Sequence, residues 1–254
     1  MEIGFTTCKP RERLIWAKSN GFKHIELDGP VFENLNRKLE INKNDINLSF
    51  HAPLELALAI KLPEIRKANI DYYKKLIDFA QEYGSEWITL HLGPYLAYCF
   101  SKEQALDSLI LSLSELVKYA EEKKIILAIE NFRNSRKDPY PYFQLGTDIV
   151  EFEKIFSEIN SDSLKMCFDI GHANITGNLF DYIKKFKDKI HLIHVHDNFG
   201  ERDEHLVCGK GNINWKKFAY ELNQAGFKGR LIVENEDNPQ NILESKKFLD
   251  SLFK

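Results

Sequence analysis

At 254 residues, with 43% hydrophobic and 29% charged side chains, the chain can bury a full core and is too well mixed to be disordered. A formal net charge of -3 excludes a globally basic surface for nucleic acid and leaves only local basic loops open. Cys8, Cys99, Cys167 and Cys208 show no CxxC spacing, and no stretch reads as a signal or membrane segment, so a cytoplasmic protein with reduced thiols and no membrane partner is expected.

Short runs of β-formers alternate with longer amphipathic runs. Ile3–Thr6 precedes a helical stretch, Pro10–Asn20, with proline at its start and Gly21 past its end. Strand patterns follow at His24–Asp28 and Asn47–His51, then a helix over Pro63–Tyr83 before Gly84. Trp87–His91 leads to Lys102–Lys123, where Leu106, Leu109, Leu113, Leu116 and Val117 recur at helical spacing. Ile125–Glu130 precedes Thr147–Ile159, Lys165–Asp169 precedes Leu179–Lys187, Ile190–His196 precedes Trp215–Ala225, and Leu231–Glu234 precedes Pro239–Phe253. Parallel neighbours need such helical crossovers, and eight units in about 250 residues predict one α/β domain over 1–254, a (β/α)8 TIM barrel. The rival, a doubly wound open sheet, lacks its glycine-rich turn after the first strand, where TTCKP stands.

A barrel carries its chemistry at the carboxyl ends of its strands. Here those ends hold Glu26 and Asp28, His51, His91, Glu130, Asp169 with His172 close behind, His194 with His196 and Asp197, and Glu234 with Glu236. Alternation puts Ser49 with His51, Thr89 with His91, Ala128 with Glu130 and Ile232 with Glu234 on inward faces. The stretch from Ile190 to Gly211, IHLIHVHDNFGERDEHLVCGKG, holds four of the eight histidines. Asp203 and His205 stand there at spacing two, able to grip one cation in an extended loop. A single imidazole in a polar loop reads equally well as solvated surface. So many acids and imidazoles at one mouth would repel or desolvate at high cost unless a cation organised them, so a divalent metal ion is the predicted cofactor. Asn131–Leu145, with Arg133, Arg136, Lys137, Pro139 and Pro141, is long for a βα loop and reads as a lid. Trp16, Trp87, Tyr140, Tyr142 and Phe143 read as packing residues, Lys210 alone as solvated, and His24 and His191, at strand starts, as non-catalytic.

The motifs HAPLELALA, HLGP, IEN, DIGHAN and HVHDNFGERDEHLVCGKGNINW together resemble the xylose isomerase-like TIM-barrel superfamily, which holds sugar isomerases, sugar epimerases and the endonuclease IV type of abasic-site nuclease, AP endonuclease family 2. The resemblance spans the whole chain. The nuclease branch binds three zinc ions through nine ligands, which implies His51, His91, Glu130, Asp169, His172, His194, Asp203, His205 and Glu234. The isomerase and epimerase branch holds one ion, which implies Glu130, Glu234, Asp169 and His194. The implied cofactor is Zn2+ or Mn2+/Mg2+, one to three per chain. Two departures stand out: Ala-Pro-Leu-Glu follows His51 in place of residues that wedge into DNA, and Gly209-Lys210-Gly211 and His196 replace a more usual acid and amide.

Two activities follow from the resemblance. The preferred one is isomerisation or epimerisation of a sugar or sugar phosphate, with Glu130 and Glu234 as the proton-transferring pair, His91 and His172 orienting hydroxyls, His51 lining the pocket, and Glu26, His196 and Lys210 touching substrate. The alternative is phosphodiester hydrolysis at abasic sites, the only reading with DNA as partner; a barrel binding metal without turnover is the third. The missing wedge and acidic balance favour the sugar. Substrate identity and a homo-oligomeric state stay open.

Overall fold

The computed structural model describes residues 1–32, 35, 39, 46–96, 101–133 and 142–254. In chain order its elements are β1 (Glu2–Thr7), α1 (Pro10–Ser19), β2 (His24–Leu27), a 3-10 turn (Gly29–Phe32), β3 (Asn47–His51), α2 (Pro63–Glu82), β4 (Trp87–His91), β5 (Pro94–Leu96), α3 (Lys102–Lys123), β6 (Ile126–Glu130), β7 (Tyr142–Gln144), α4 (Ile149–Glu158), β8 (Leu164–Asp169), α5 (Ile170–Thr176), α6 (Leu179–Phe186), β9 (Ile190–Val195), α7 (Trp215–Gln224), β10 (Arg230–Val233) and α8 (Pro239–Leu252). Local chemistry starts the helices where they start. Proline opens α1, α2 and α8, Ser101 with Gln104 and Asp148 with Glu151 form capping boxes for α3 and α4, and Asn214 caps α7.

The eight expected strands close into a ring in the order β1-β10-β9-β8-β6-β4-β3-β2, every pair parallel. This is the (β/α)8 TIM barrel, with its strand ends within a residue or two of the sequence pattern. Inside the ring, Trp87, Ala128, Cys167, Leu192 and Ile232 pack as a separate apolar layer, while the larger core lies between strands and helices. Trp16 packs against that larger core. Ser49 and Thr89 also turn inward, since both hydroxyls reach the buried Glu26.

Two features were not anticipated. A short antiparallel pair, β5 with β7, joins the loop after β4 to the far end of the Asn131–Leu145 segment. Within that segment 134–141 lie outside the described residues, so the lid reading at Arg136, Lys137, Pro139, Pro141 and Tyr140 does too, as does Cys99. The DIGHAN motif forms helix α5 directly off β8, nucleated when the Asp169 carboxylate accepts the His172 N–H at 2.6 Å. At the opposite end of the barrel, His24 stacks on Trp87 with centroids 4.5 Å apart, and His191 lines a groove of about 770 Å3 where Arg230 pairs with Glu2 and Glu86. No described helix is long and apolar enough to cross a membrane.

Candidate metal centre

Parallel strands end level with one another, so side chains from distant parts of the sequence meet at one mouth. Register puts His91 beside Glu130 and His194 beside Asp169, with Glu234 one residue past β10. Glu130 lies at the middle: Nε2 of His91 is 2.9 Å and Nε2 of His51 3.1 Å from its Oε2, and Nδ1 of His194 is 3.3 Å from its Oε1. His194 Nδ1 is also 3.2 Å from Glu234 Oε1. The ligand atoms of Glu130, Asp169, His194 and Glu234 all lie within 4.8 Å of one another, as do those of His51, Glu130 and His194. Asp203 occupies a second centre, its Oδ2 lying 3.2 Å from His172 Nε2 and 3.3 Å from His205 Nε2. The structure thus brings together all nine residues that the resemblance implies as ligands.

The imidazoles are held for ligation by the atoms behind them. Nδ1 of His51 donates to the Ala52 carbonyl at 3.0 Å, Nδ1 of His172 to the Asn131 carbonyl at 2.9 Å, and Nδ1 of His205 to the Glu234 carbonyl at 3.0 Å. A carbonyl accepts only, so each Nδ1 carries a proton and each Nε2 points at the cluster, where it can ligate an ion once that ion displaces its proton. His205 adopts a left-handed backbone at φ +46 to do so, a conformation kept where the surroundings impose it. His194 is set the other way: its Nε2 meets Glu26 Oε1 at 2.8 Å, which leaves Nδ1 for Glu130 and Glu234.

Glu26 therefore lies beneath the mouth, not in it. Register pairs it with Ser49, one layer below His51, and it is fully buried. Its Oε2 accepts from Ser49 Oγ at 2.9 Å, Trp87 Nε1 at 2.9 Å and Thr89 Oγ1 at 3.1 Å. Burial alone would push this carboxyl up, but His194 and these donors hold it down to about 2. Lys210 is exposed and pairs with Glu244 on α8, apart from the cluster. His196 is fully buried beside Asp169 and Asp203.

Several site-building residues have roles that the sequence pattern did not assign. Asn131 clamps β6 to β8 by donating to the Asp169 carbonyl and accepting the Asp169 N–H, each at 2.8 Å. The Phe132 ring packs between His91 and His172. Arg133 reaches Asp203 at 2.7 Å. The glycines of Gly209-Lys210-Gly211 serve Asp197: the Gly209 N–H donates to its Oδ2 at 2.8 Å, and a Cβ on Gly211 would stand 2.3 Å from its Oδ1.

Electrostatics fit a cation. Burial works against protonating His51, yet the Glu130 carboxylate outweighs it and holds the ring up at about 10; Asp169 and Asp203 likewise hold His172 at about 9. Burial opposes ionisation of Asp203, but hydrogen bonds from His172 and His205 depress its carboxyl far below the usual range. The acids demand positive charge, and a divalent ion competes for that role with protons, so its uptake releases them. The donors are imidazole nitrogens and carboxylate oxygens, suited to Zn2+, Mn2+ or Co2+. Asp169 Oδ2, Asp203 Oδ1 and both ring nitrogens of His196 are buried without a hydrogen-bond partner among the described residues, where a ligating group is otherwise needed.

The sequence profile of the xylose isomerase-like TIM barrel matches residues 14–252. The chain belongs to that family. Among its xylose isomerase-like relatives, the uncharacterized protein MJ1311 of Methanocaldococcus jannaschii is 33% identical, the match covering 85% of this chain and 74% of that one. A probable endonuclease 4 of Aquifex aeolicus is 27% identical over 75% of this chain and 70% of its own. Among solved structures, a D-tagatose 3-epimerase-like protein superimposes with a TM-score of 0.86 at 28% identity, over 99% of this chain and 97% of its own.

In this xylose isomerase-like chain, Glu26→Gln tests the support under His194. The amide keeps the shape but loses the charge that holds the Nε2 proton, so Kd for Mn2+ or Zn2+ should rise about 10–100-fold. Competition against a chromophoric chelator measures it; an unchanged Kd would mean that Glu26 does not position His194.

Proposed function

We propose that the protein is a divalent-metal-dependent epimerase or isomerase of a sugar or sugar phosphate. The reading is carried by the convergence of Glu130, Asp169, His194 and Glu234 within ligand distance of one another. A divalent ion held by these four supplies Lewis-acid polarisation of the substrate's carbonyl and hydroxyl oxygens. The chain supplies the proton path. Glu130 and Glu234 come from strands separated around the ring, so one carboxylate takes the proton next to the carbonyl and the other returns it. His91 and His172 orient substrate hydroxyls, Phe132 keeps their rings in place, and His51 walls the pocket. The likeness to a D-tagatose 3-epimerase-like structure supports a ketose as substrate.

The test is incubation with a panel of ketoses and ketose phosphates in deuterated water, with Mn2+, Co2+, Mg2+ or Zn2+. Proton NMR should record loss of the C–H signal beside the carbonyl and growth of the epimer. No exchange on any member of the panel would count against the reading.

A second reading is phosphodiester hydrolysis at abasic sites in DNA. It is favoured by the second centre, His172, Asp203 and His205, because one zinc ion takes only four to five ligands, and by the resemblance to a probable endonuclease 4. Chelator-sensitive incision of an abasic-site duplex would put that reading first.

A further inference from the structure

Every barrel strand after the first brings an acid or an imidazole to the mouth. β1 ends at Thr7 with neither, and what its end supplies is a hold on the loop that carries Glu234. Glu234 stands one residue past β10, beyond the last ladder pairs, Phe5 with Val233 and Val233 with Val195. Its N–H still donates to the Val195 carbonyl at 3.1 Å, and its own carbonyl accepts from His205 Nδ1 at 3.0 Å. Asn235 donates its amide to the carbonyls of His205 and Leu206 at 2.9 and 3.0 Å. The loop after β9 thus grips the first two residues of this turn.

The next two residues, Glu236 at φ +47 and Asp237 at φ +52, both lie in the left-handed region although neither is glycine. L side chains disfavour that backbone, and two in succession persist only where the surroundings impose them. The imposing groups come from β1 and α1. Arg13 Nε donates to Asp237 Oδ1 at 2.7 Å, Arg13 Nη2 donates to the Asp237 carbonyl at 2.9 Å, and Thr7 Oγ1 donates to the same Oδ1 at 2.9 Å. Lys9 stands further off, its Nζ 3.9 Å from Oδ2. The Arg13 and Asp237 side chains are each 12% exposed, so the pair is sheltered from the water and salt that weaken surface ion pairs. The chain then enters α8, with the Asn238 N–H donating to the Asn235 carbonyl at 3.0 Å and the Asn238 side chain capping the helix.

We infer that Arg13 is a positioning residue: by clasping Asp237 it holds the left-handed turn that aims the Glu234 carboxylate at His194 and the metal centre. That carboxylate is 3.2 Å from His194 Nδ1 and its side chain is 14% exposed, so packing leaves its direction to the rotamer that the backbone allows. Only two residues separate Glu234 from Asp237. Without the clasp, Glu236 and Asp237 relax out of the left-handed region and Glu234 turns with them. The inference rests on Glu130, Asp169, His194 and Glu234 forming a metal site. Charge alone predicts the opposite result. Arg13 is a cation, so removing its field would tighten a divalent ion, whereas misplacing a ligand weakens it. The sign of the change separates the two.

The experiment is competition of the chelator-stripped full chain against a chromophoric chelator for Mn2+, with ketose turnover at saturating Mn2+ as a second readout. Arg13→Met should raise the Mn2+ Kd about 10–100-fold. It should lower kcat about tenfold with KM within about twofold of wild type, since His91 and His172 are untouched. Adding Glu236→Gly should bring Kd and kcat back to within about threefold of wild type, because glycine takes a positive φ without help. Circular dichroism melts of the stripped proteins establish that the variants are folded. Arg13→Lys, which keeps the charge but can fill only one of the two bonds, gives the same readout should Arg13→Met melt early. Unchanged or tighter Mn2+ binding in a folded variant would overturn the inference, as would a loss that Glu236→Gly does not recover, and both leave the metal centre standing. Uptake of no Mn2+ by wild type would overturn the metal centre and the inference with it. Absence of turnover by wild type on every ketose counts against the proposed reaction alone, and the Kd comparison still decides the role of Arg13.

Discussion

Glu234→Gln should lower turnover by about a thousandfold, within the 10²–10⁴ range for losing a positioned acid or base. Glu234 and Glu130 differ in access: the Glu234 side chain is 14% exposed, that of Glu130 1%. Glu130 is locked among three imidazoles, while Glu234 faces His194 on one side and the mouth on the other. Burial pushes the Glu234 carboxyl up, His194 pulls it back, and the charges of Glu130 and Asp169 raise it again. A carboxylate lifted in this way is a better proton acceptor near neutral pH than one in water. The amide keeps the outline and removes the basic oxygen. Turnover should be compared at equal bound metal, by epimer formation or by deuterium exchange. A variant that holds its metal and turns over at the wild-type rate would remove Glu234 from the chemistry.

Asp197→Ala should destabilise the fold by about 3–5 kcal/mol, at the upper end for a single substitution. Asp197 is fully buried and ties together the loop that carries Asp203 and His205. Its Oδ1 accepts the Asn198 N–H at 3.0 Å and the Ile213 N–H at 3.3 Å; its Oδ2 accepts the Gly209 N–H at 2.8 Å and the Trp215 indole N–H at 2.7 Å. Its backbone pairs with Leu206 in both directions at 2.9 Å. Alanine leaves four donors unpaired in a dry interior, and hydrogen bonds to a charged acceptor are each worth about 1.5–3 kcal/mol. Urea denaturation of the stripped protein measures the loss without interference from bound ions. A loss under about 1 kcal/mol would mean that water replaces the carboxylate and the loop holds itself. The same variant should weaken metal binding at Asp203, since the Asp197 carboxylate ties that loop directly to the Ile213 N–H and the Trp215 indole at the head of α7.

The ring of strands was legible in advance because each strand is a short apolar run, and every one after the first has an ionisable terminus. The helices were legible because their apolar residues recur at helical spacing between proline starts and glycine ends. Convergence of Glu130, Asp169, His194 and Glu234 followed from the same pattern, since the parallel strands of one ring all end at one mouth. The sequence by itself thus determined the architecture, the end of the barrel that holds the chemistry and the residue types gathered there. Tertiary structure alone decided depth and direction. Strand register set Glu26 one layer beneath the mouth as the support of His194, and backbone carbonyls of Ala52, Asn131 and Glu234 chose which nitrogen of three histidines faces the cluster. Carbonyl acceptors belong to every residue alike, and shear between neighbouring strands is a property of the closed ring, so neither leaves a mark in the order of side chains.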